Sequence, residues 1–130
     1  MNDATQQQLI DLTQQLLDSI AGGDWETYAR LCDPSLSAFE PEARGQRVDG
    51  MPFHKFFFDL GRRQAPHHTT ICSPHVRLLG NEAAIVSYVR LIQTVDGDGV
   101  PNVQRYEETR VWQRQDAEWK HVHFHRSNSD

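Results

Sequence analysis

The sequence has few cysteines, no long apolar run and no excess of positive charge. Cys32 and Cys72 are its only cysteines, which argues against a disulfide framework and predicts two buried, reduced thiols in a cytoplasmic protein. No apolar stretch approaches the roughly 20 residues of a membrane-spanning helix, and the N-terminus lacks the segments of a secretory signal. Because the net charge is -5, general binding to nucleic acid or to anionic membranes is not expected.

The remaining composition is typical of a folded globular chain. Hydrophobic residues make up 38% and charged residues 24% of the 130 positions. This length predicts a single domain over residues 1–130, with one sheet packed on a few helices. No Gly-rich phosphate loop, kinase catalytic motif or metal-binding motif is recognisable, so no cofactor and no metal are predicted.

The first half of the chain predicts helices. Apolar residues at helical spacing over 9–20 indicate an amphipathic helix of about four turns, which Gly22-Gly23 ends. Asp24 is a suitable N-cap for a second helix over 25–31. A short strand at 36–40 and a polar loop precede a third helix over 50–60, which a basic loop at 62–63 follows. The core-covering stripe of this third helix is predicted to comprise Met51, Phe53, Phe56, Phe57 and Leu60.

The second half predicts strands at 68–79, 83–95, 104–114 and 118–126. Ser73-Pro74 interrupts the first of these, which favours an edge strand or a bulge. The acidic, Gly-containing segment at 96–99 is a strong turn signal. Helices followed by an antiparallel meander place the chain in the α+β class.

Short blocks in a fixed order run along nearly the whole chain. They include Gly23-Asp24-Trp25-Glu26-Thr27-Tyr28, Cys32-Asp33-Pro34, Ala38-Phe39-Glu40-Pro41-Glu42-Ala43, Tyr88-Val89-Arg90-Leu91, Glu107-Glu108-Thr109-Arg110-Val111-Trp112 and Val122-His123-Phe124-His125-Arg126-Ser127. Together these blocks resemble the association (hub) domain of calcium/calmodulin-dependent protein kinase II.

The resemblance implies a cystatin-like fold, shared with nuclear transport factor 2, ketosteroid isomerase and SnoaL-like proteins. In this fold a cone-shaped, strongly curved antiparallel sheet wraps around a long helix. The family also implies self-association, from homodimers to two stacked rings. Because kinase and calmodulin-binding motifs are lacking, neither activity is carried over. The loop at 59–66 is expected to be shorter than in animal hubs and to lack their aromatic residue.

The resemblance further implies a ligand site. In the hub family one histidine and three arginines line a deep pocket for small carboxylates, and the matching positions here are His54, Arg90, Arg110 and Arg126. Guanidinium groups bind carboxylates bidentately and stay charged when buried. The alternative is an internal ion-pair network in which the arginines are neutralised by Glu40, Glu107 or Glu108. If Arg110 is purely structural, Arg110→Met should cost little, provided that its acidic partner reaches water.

The pairing of the last two strands decides whether Arg126 joins Arg110. If Asp116-Ala117 forms a two-residue turn without a bulge, the two arginines lie on opposite faces. A shared pocket therefore needs a bulge or a twist. With unbroken alternation, His121, His123 and His125 share one solvated or interface face. The three are too spread along the strand for one metal ion to bind them all easily, and the alternative is a metal site made of His123, His125 and a remote ligand.

Two functional hypotheses from different classes follow. The first is an assembly module that oligomerises with itself and binds a small carboxylate in an arginine-lined cavity. The alternative is a SnoaL-like or ketosteroid-isomerase-like enzyme that acts on a small molecule in the same cavity. Acid–base residue types occur at Tyr28, Glu40, Asp49 and Tyr88, but no arrangement identifies a catalytic residue. A carboxyl or tyrosyl group that faces the cavity with a strongly perturbed pKa would favour the enzyme.

Overall fold

The computed structural model describes residues 2–61 and 67–128. Within these ranges the helices are α1 (Asn2–Gly22), α2 (Trp25–Leu31) and α3 (Pro52–Asp59), with a 3-10 turn at Pro41–Ala43. The strands are β1 (Cys32–Phe39), β2 (Val48–Asp49), β3 (His67–Leu79), β4 (Ala83–Val95), β5 (Pro101–Gln115) and β6 (Glu118–Arg126). None of the described helices combines the length and the hydropathy of a membrane span.

The helix signals in the sequence act locally, as predicted. Leu9, Leu16 and Leu17 lie on the buried face of α1 and are fully inaccessible. The helix ends before Gly23, whose φ of 69° is a left-handed conformation that favours glycine. Asp24 caps α2, because its carboxylate accepts a hydrogen bond from the Thr27 backbone N–H at 3.1 Å.

The strands form one curved sheet in the order β2-β1-β6-β5-β4-β3. Every pair is antiparallel except β1–β6, which is parallel, so the sheet is mixed rather than purely antiparallel. Helix α1 packs across β3 and β4, and the core between helix and sheet includes Leu16, Val86, Trp112 and Phe124. The predicted α+β class and the cone-like, cystatin-like architecture are confirmed.

Two of the three register shifts among the described strands bear directly on the predictions. The first lies in edge strand β3 between Cys72 and His75, where Ser73 has a φ of 52°, as the proline signal predicted. The second lies in β6. Trp112 pairs with His121 but Val111 pairs with His123, so Val122 is an extra residue that forms a bulge.

The bulge at Val122 contradicts the predicted shared face of the three histidines. It also supplies the irregularity that a shared pocket of Arg110 and Arg126 requires. His121, His123 and His125 do not share a face, since His121 is fully buried beside Arg110 while His123 contacts Ser37 and Phe39. Because of this inserted residue, Arg126 pairs with Glu108, and Phe124 pairs with Arg110. Because Glu108 and Arg110 share one face of β5, Arg126 lies on that face as well.

The predicted inward stripe of α3 is partly wrong. Phe56, Phe57 and Leu60 are 60%, 42% and 69% exposed. The buried member of the helix is His54, and Phe58 packs against the rings of Trp25 and Tyr28. With only eight residues and four phenylalanines among them, the helix has no periodicity that distinguishes one apolar face from another.

Smaller differences concern β1 and the cysteines. The first strand begins at Cys32 rather than at residue 36. Cys32 is buried, but Cys72 is only half-buried, so the expectation of two buried thiols is wrong for Cys72; both thiols are free. The basic loop at 62–63 and most of the loop compared with animal hubs lie outside the described residues.

Candidate ligand-binding cavity

A cavity of about 350 Å³ lies between the helices and the concave face of the sheet. All four residues predicted for the ligand site line it, namely His54, Arg90, Arg110 and Arg126. Its other lining residues are Ile20 and a set of acidic and aromatic side chains that includes Glu40, Glu42, Tyr28, Phe58 and Phe124.

Strand alternation places the two central arginines. Over residues 83–90 of β4, buried and less buried positions alternate, and Arg90 shares the buried face with Val86 and Tyr88. Arg110 stands opposite Val86 on β5. The two guanidinium groups therefore approach the cavity from adjacent strands, as the family resemblance predicted.

One carboxylate holds both of these arginines. Glu108 accepts hydrogen bonds from Arg90 Nη1 at 2.9 Å, from Arg110 Nη2 at 3.1 Å and from the Tyr88 hydroxyl at 2.5 Å. Its side chain is fully buried. Burial alone would raise the pKa of Glu108, but Arg110 and Arg90 outweigh it and lower this pKa to about 2. Glu108 is therefore ionised, and it compensates only one of the two positive charges.

The predicted ion-pair network thus exists beside the cavity and does not replace it. Of the three glutamates considered for it, Glu108 performs the neutralising role. Glu107 lies instead near Arg105 at 3.6 Å, with both side chains exposed.

Arg110 makes two further contacts that the sequence did not suggest. Its guanidinium lies 4.3 Å from the ring centroid of Phe124, and Nη1 lies 3.3 Å from His121 Nε2. Because a guanidinium has no lone pair to offer, Nε2 must be the acceptor and His121 must be neutral. Burial, followed by the charge of Arg110, holds the pKa of His121 well below its usual value. His121 escaped prediction because the bulge reverses the alternation that assigned it to the outer face.

The other ring nitrogen of His121 lies 3.5 Å from Cys32 Sγ. With Nε2 accepting from Arg110, the proton of the neutral imidazole is on Nδ1, which donates toward the sulfur. Burial raises the pKa of the Cys32 thiol to about 12. Cys32 is thus a packed thiol and not a nucleophile.

Arg126 lies at the rim of the cavity. Its guanidinium forms an ion pair with Glu42 and lies 5.0 Å from the ring centroid of Tyr106. The side chain is 15% exposed, which makes it the most accessible of the three arginines that line the cavity.

His54 and Glu40 form the remaining polar wall. His54 Nδ1 lies 3.5 Å from Glu40 Oε2, and both side chains are 7% exposed. Burial, then the charges of Arg110 and Arg126, lower the pKa of His54 to about 4, so the imidazole is neutral near pH 7. Burial raises the pKa of Glu40 to about 7. The contact is therefore between a neutral ring and a half-ionised carboxyl group, and it is not an ion pair.

Four polar atoms around the cavity lack a hydrogen-bond partner among the residues that the structure describes. They are Glu40 Oε2, His54 Nε2, Arg90 Nε and Arg126 Nε. A buried polar atom without a partner costs about 1–3 kcal/mol. Within residues 2–61 and 67–128 there is no group of three or more side chains that could hold a metal ion.

Comparison with known proteins identifies the family. The family profile "Calcium/calmodulin dependent protein kinase II association domain" matches residues 5–130. The delta subunit of calcium/calmodulin-dependent protein kinase type II from Oryctolagus cuniculus is 51% identical over 128 residues, which cover 97% of this chain and 24% of that relative. The chain thus spans about a quarter of the length of the curated relative that it matches.

Solved structures agree. The association domain of the C. elegans kinase has 44% identity and a TM-score of 0.92, with 97% of each chain covered. The hub homology domain from Chlamydomonas reinhardtii has 42% identity and a TM-score of 0.89, with 95% of this chain and 96% of that chain covered. Nuclear transport factor 2-like and cystatin-like proteins of 20% identity or less share the fold alone. The chain therefore belongs to the calcium/calmodulin-dependent protein kinase II association-domain family.

Proposed function

We propose that the chain is a self-associating hub module whose cavity binds a small carboxylate. The ligand-binding residues are His54, Arg90, Arg110 and Arg126. The observation that carries this proposal is the sharing of one ionised carboxylate, Glu108, between two buried guanidinium groups. Within this trio of Arg90, Arg110 and Glu108 one positive charge remains uncompensated, and because the three side chains are at most 5% exposed, it attracts an anion more strongly than a charge in solvent does.

Size and donor chemistry support the same proposal. A volume of about 350 Å³ suits a small organic acid. Guanidinium N–H groups match the two oxygens of a carboxylate, and the Arg126 side chain at the rim is 15% exposed. The rings of Tyr28, Phe58 and Phe124 provide apolar walls for the carbon part of such a ligand.

Self-association follows from the family and from the surface. Association domains of this family assemble with one another, and we propose a homodimer or larger ring of a single-domain chain. Exposed apolar side chains at Phe56, Phe57, Leu60 and Val103 supply surface that a second copy would cover. Kinase activity is not part of the proposal, and the cytoplasmic location and the lack of nucleic-acid or membrane binding stay predictions.

A ligand titration tests the cavity. Saturating sodium acetate should raise the free energy of unfolding by about 2.7 kcal/mol at a hundredfold excess over the dissociation constant, whereas sodium chloride at equal ionic strength should not. Arg110→Met should abolish this increase. Arg105→Met is the matched control, since Arg105 lies on the same strand outside the cavity, and it should retain the increase. A wild-type protein whose stability responds to no small carboxylate would return Arg110 to a structural role.

Light scattering tests the assembly. A species of 15.0 kDa, the mass of one chain, at micromolar concentration would contradict self-association. A dimer or a larger multiple of that mass is expected.

One observation favours the enzyme alternative. Glu40 faces the cavity with a pKa of about 7, which is the range of an effective general base. An isomerase-like enzyme would use such a base to remove a proton next to the carboxylate that the arginines hold. Proton NMR in D₂O would detect this reaction as loss of the α-proton signal of a bound acid, and Glu40→Gln should abolish it. No exchange above the rate without protein would leave binding as the function.

A further inference from the structure

We infer that Glu40 makes ligand binding proton-linked: a small carboxylate enters the cavity together with one proton, which Glu40 takes up. The inference rests on the proposed function, because it assumes that the cavity binds carboxylates. It adds that the cavity binds the carboxylate when Glu40 is protonated.

The position of Glu40 between β1 and the 3-10 turn places its carboxyl group in the lining of the cavity. Glu40 lies between the end of β1 and the turn that begins at Pro41, and its side chain is 7% exposed. Glu42, two residues later, takes the ion pair with Arg126. Oε2 of Glu40 has no hydrogen-bond partner in the described part of the chain. The carboxyl group is therefore an acid enclosed with the proposed ligand and not bound to any of the arginines.

Counting charges shows why protonation matters. Among the described residues, three arginines line the cavity and three glutamates are close to them, namely Glu40, Glu42 and Glu108. With all three ionised the set is neutral, and an incoming anion adds an uncompensated negative charge. Once Glu40 is protonated, one positive charge remains for the ligand. A negative charge close to a buried carboxyl group raises its pKa, so a bound anion favours the protonated form of Glu40.

The groups that act on Glu40 come from every element packed around it. They are Tyr28 on α2, Glu42 on the 3-10 turn, His54 on α3, Glu108 and Arg110 on β5, and Arg126 on β6. After burial, Glu42 and Glu108 raise the pKa of Glu40, while Arg126 and Arg110 lower it, and the result is about 7. The pKa of His54 is lowered to about 4 and that of Glu108 to about 2, which keeps both groups from titrating near neutral pH.

The test is a titration of the full chain with sodium acetate at constant ionic strength, followed by NMR chemical shifts at pH values of about 6, 7 and 8.5. Acetate is ionised throughout this range, so its own titration does not contribute. The dissociation constant should be lowest at the acid end and should rise toward tenfold per pH unit above 7. Glu40→Gln should bind with the wild-type affinity of the acid end at every pH. Glu42→Gln removes the same charge from the rim, and it should keep the slope.

Each result bears on the inference. A wild-type affinity that is constant from pH 6 to 8.5 would overturn the inference and leave carboxylate binding intact. Absence of acetate binding at every pH would overturn both. If Glu40→Gln does not fold, calorimetry on the wild type in two buffers of different ionisation enthalpy gives the number of protons taken up. About one proton at pH 8.5 is expected, and none at that pH would overturn the inference.

Discussion

Replacement of Arg110 by methionine measures how strongly the buried network holds the sheet. Arg110 is 1% exposed, and it donates hydrogen bonds to Tyr88, to Glu108 and to His121. Methionine fills a similar volume but leaves His121 Nε2 without a donor and Glu108 with one fewer. The sequence-based expectation of a small cost required that the acidic partner reach water. Glu108 does not, because its side chain is 0% exposed.

The expected cost follows from these contacts. Removing one partner of a buried pair costs about 3–5 kcal/mol. Glu108 keeps Arg90 and the Tyr88 hydroxyl as donors, so the loss should fall at the lower end, at about 3 kcal/mol. In the Arg110→Met background, Glu108→Gln takes the carboxylate only from Arg90, whereas in the wild-type background it takes the carboxylate from both Arg90 and Arg110. The double variant should therefore be more stable than the sum of the two single changes predicts, by about 1–3 kcal/mol.

Urea unfolding at neutral pH measures these differences. The protein concentration must be the same for all variants, since the stability of an oligomer depends on it. Arg105→Met again serves as the control for loss of an arginine from β5. An Arg110→Met protein within about 0.5 kcal/mol of wild type, or additive effects in the double variant, would refute the coupling of Arg110 to Glu108.

Two further predictions concern Glu40 and Val122. Because the pKa of Glu40 is about 7 in the folded protein and 4.5 in the unfolded reference, its protonation stabilises the fold fully below pH 4.5, and this contribution is lost as the pH rises through 7. Glu40→Gln should therefore stabilise the protein by up to about 3 kcal/mol at pH 8 relative to its effect at pH 4.5. The midpoints of urea unfolding at the two pH values measure this difference. An equal effect at both pH values would contradict the burial of an ionisable Glu40. Deletion of Val122 should remove the bulge and leave the remaining residues in regular alternation, so that His121, Phe124 and Arg126 keep their partners in β5 and their inward faces; the variant should still unfold cooperatively on heating, as Val122→Ala should. A deletion variant without a cooperative thermal transition would show that the sheet needs the extra residue itself.

The parts of the fold that sequence reasoning predicted well are governed by neighbouring residues. Asp24 caps α2 because its carboxylate reaches an N–H three positions away. Strand β4 coincides with the predicted 83–95, since its alternating side chains and its flanking turns are all local signals. The inward face of α3 was predicted incorrectly because contacts with another helix determine it: Phe58 packs against Trp25 and Tyr28 of α2.

The bulge at Val122 also could not be predicted from neighbouring residues, and it lies at the candidate site. Nothing about a valine between two histidines marks an inserted residue, and strict alternation would separate Arg126 from Arg110. The cause lies across the sheet. Strand β1 pairs with β6 through an irregularity over the same stretch, where Cys32 stands opposite His121 and Ser37 opposite His123.

The extra residue lets two rings of β6 point inward. His121 and Phe124 are three positions apart, yet both are buried and their ring centroids lie 5.6 Å apart in a stacked arrangement. His121 accepts from Arg110 and contacts Cys32, while Phe124 lies over the Arg110 guanidinium. A regular strand would turn one of these rings outward and remove a contact from the buried charge. Tertiary packing around Arg110 therefore selects the bulge, and the same bulge places Arg126 at the rim of the cavity.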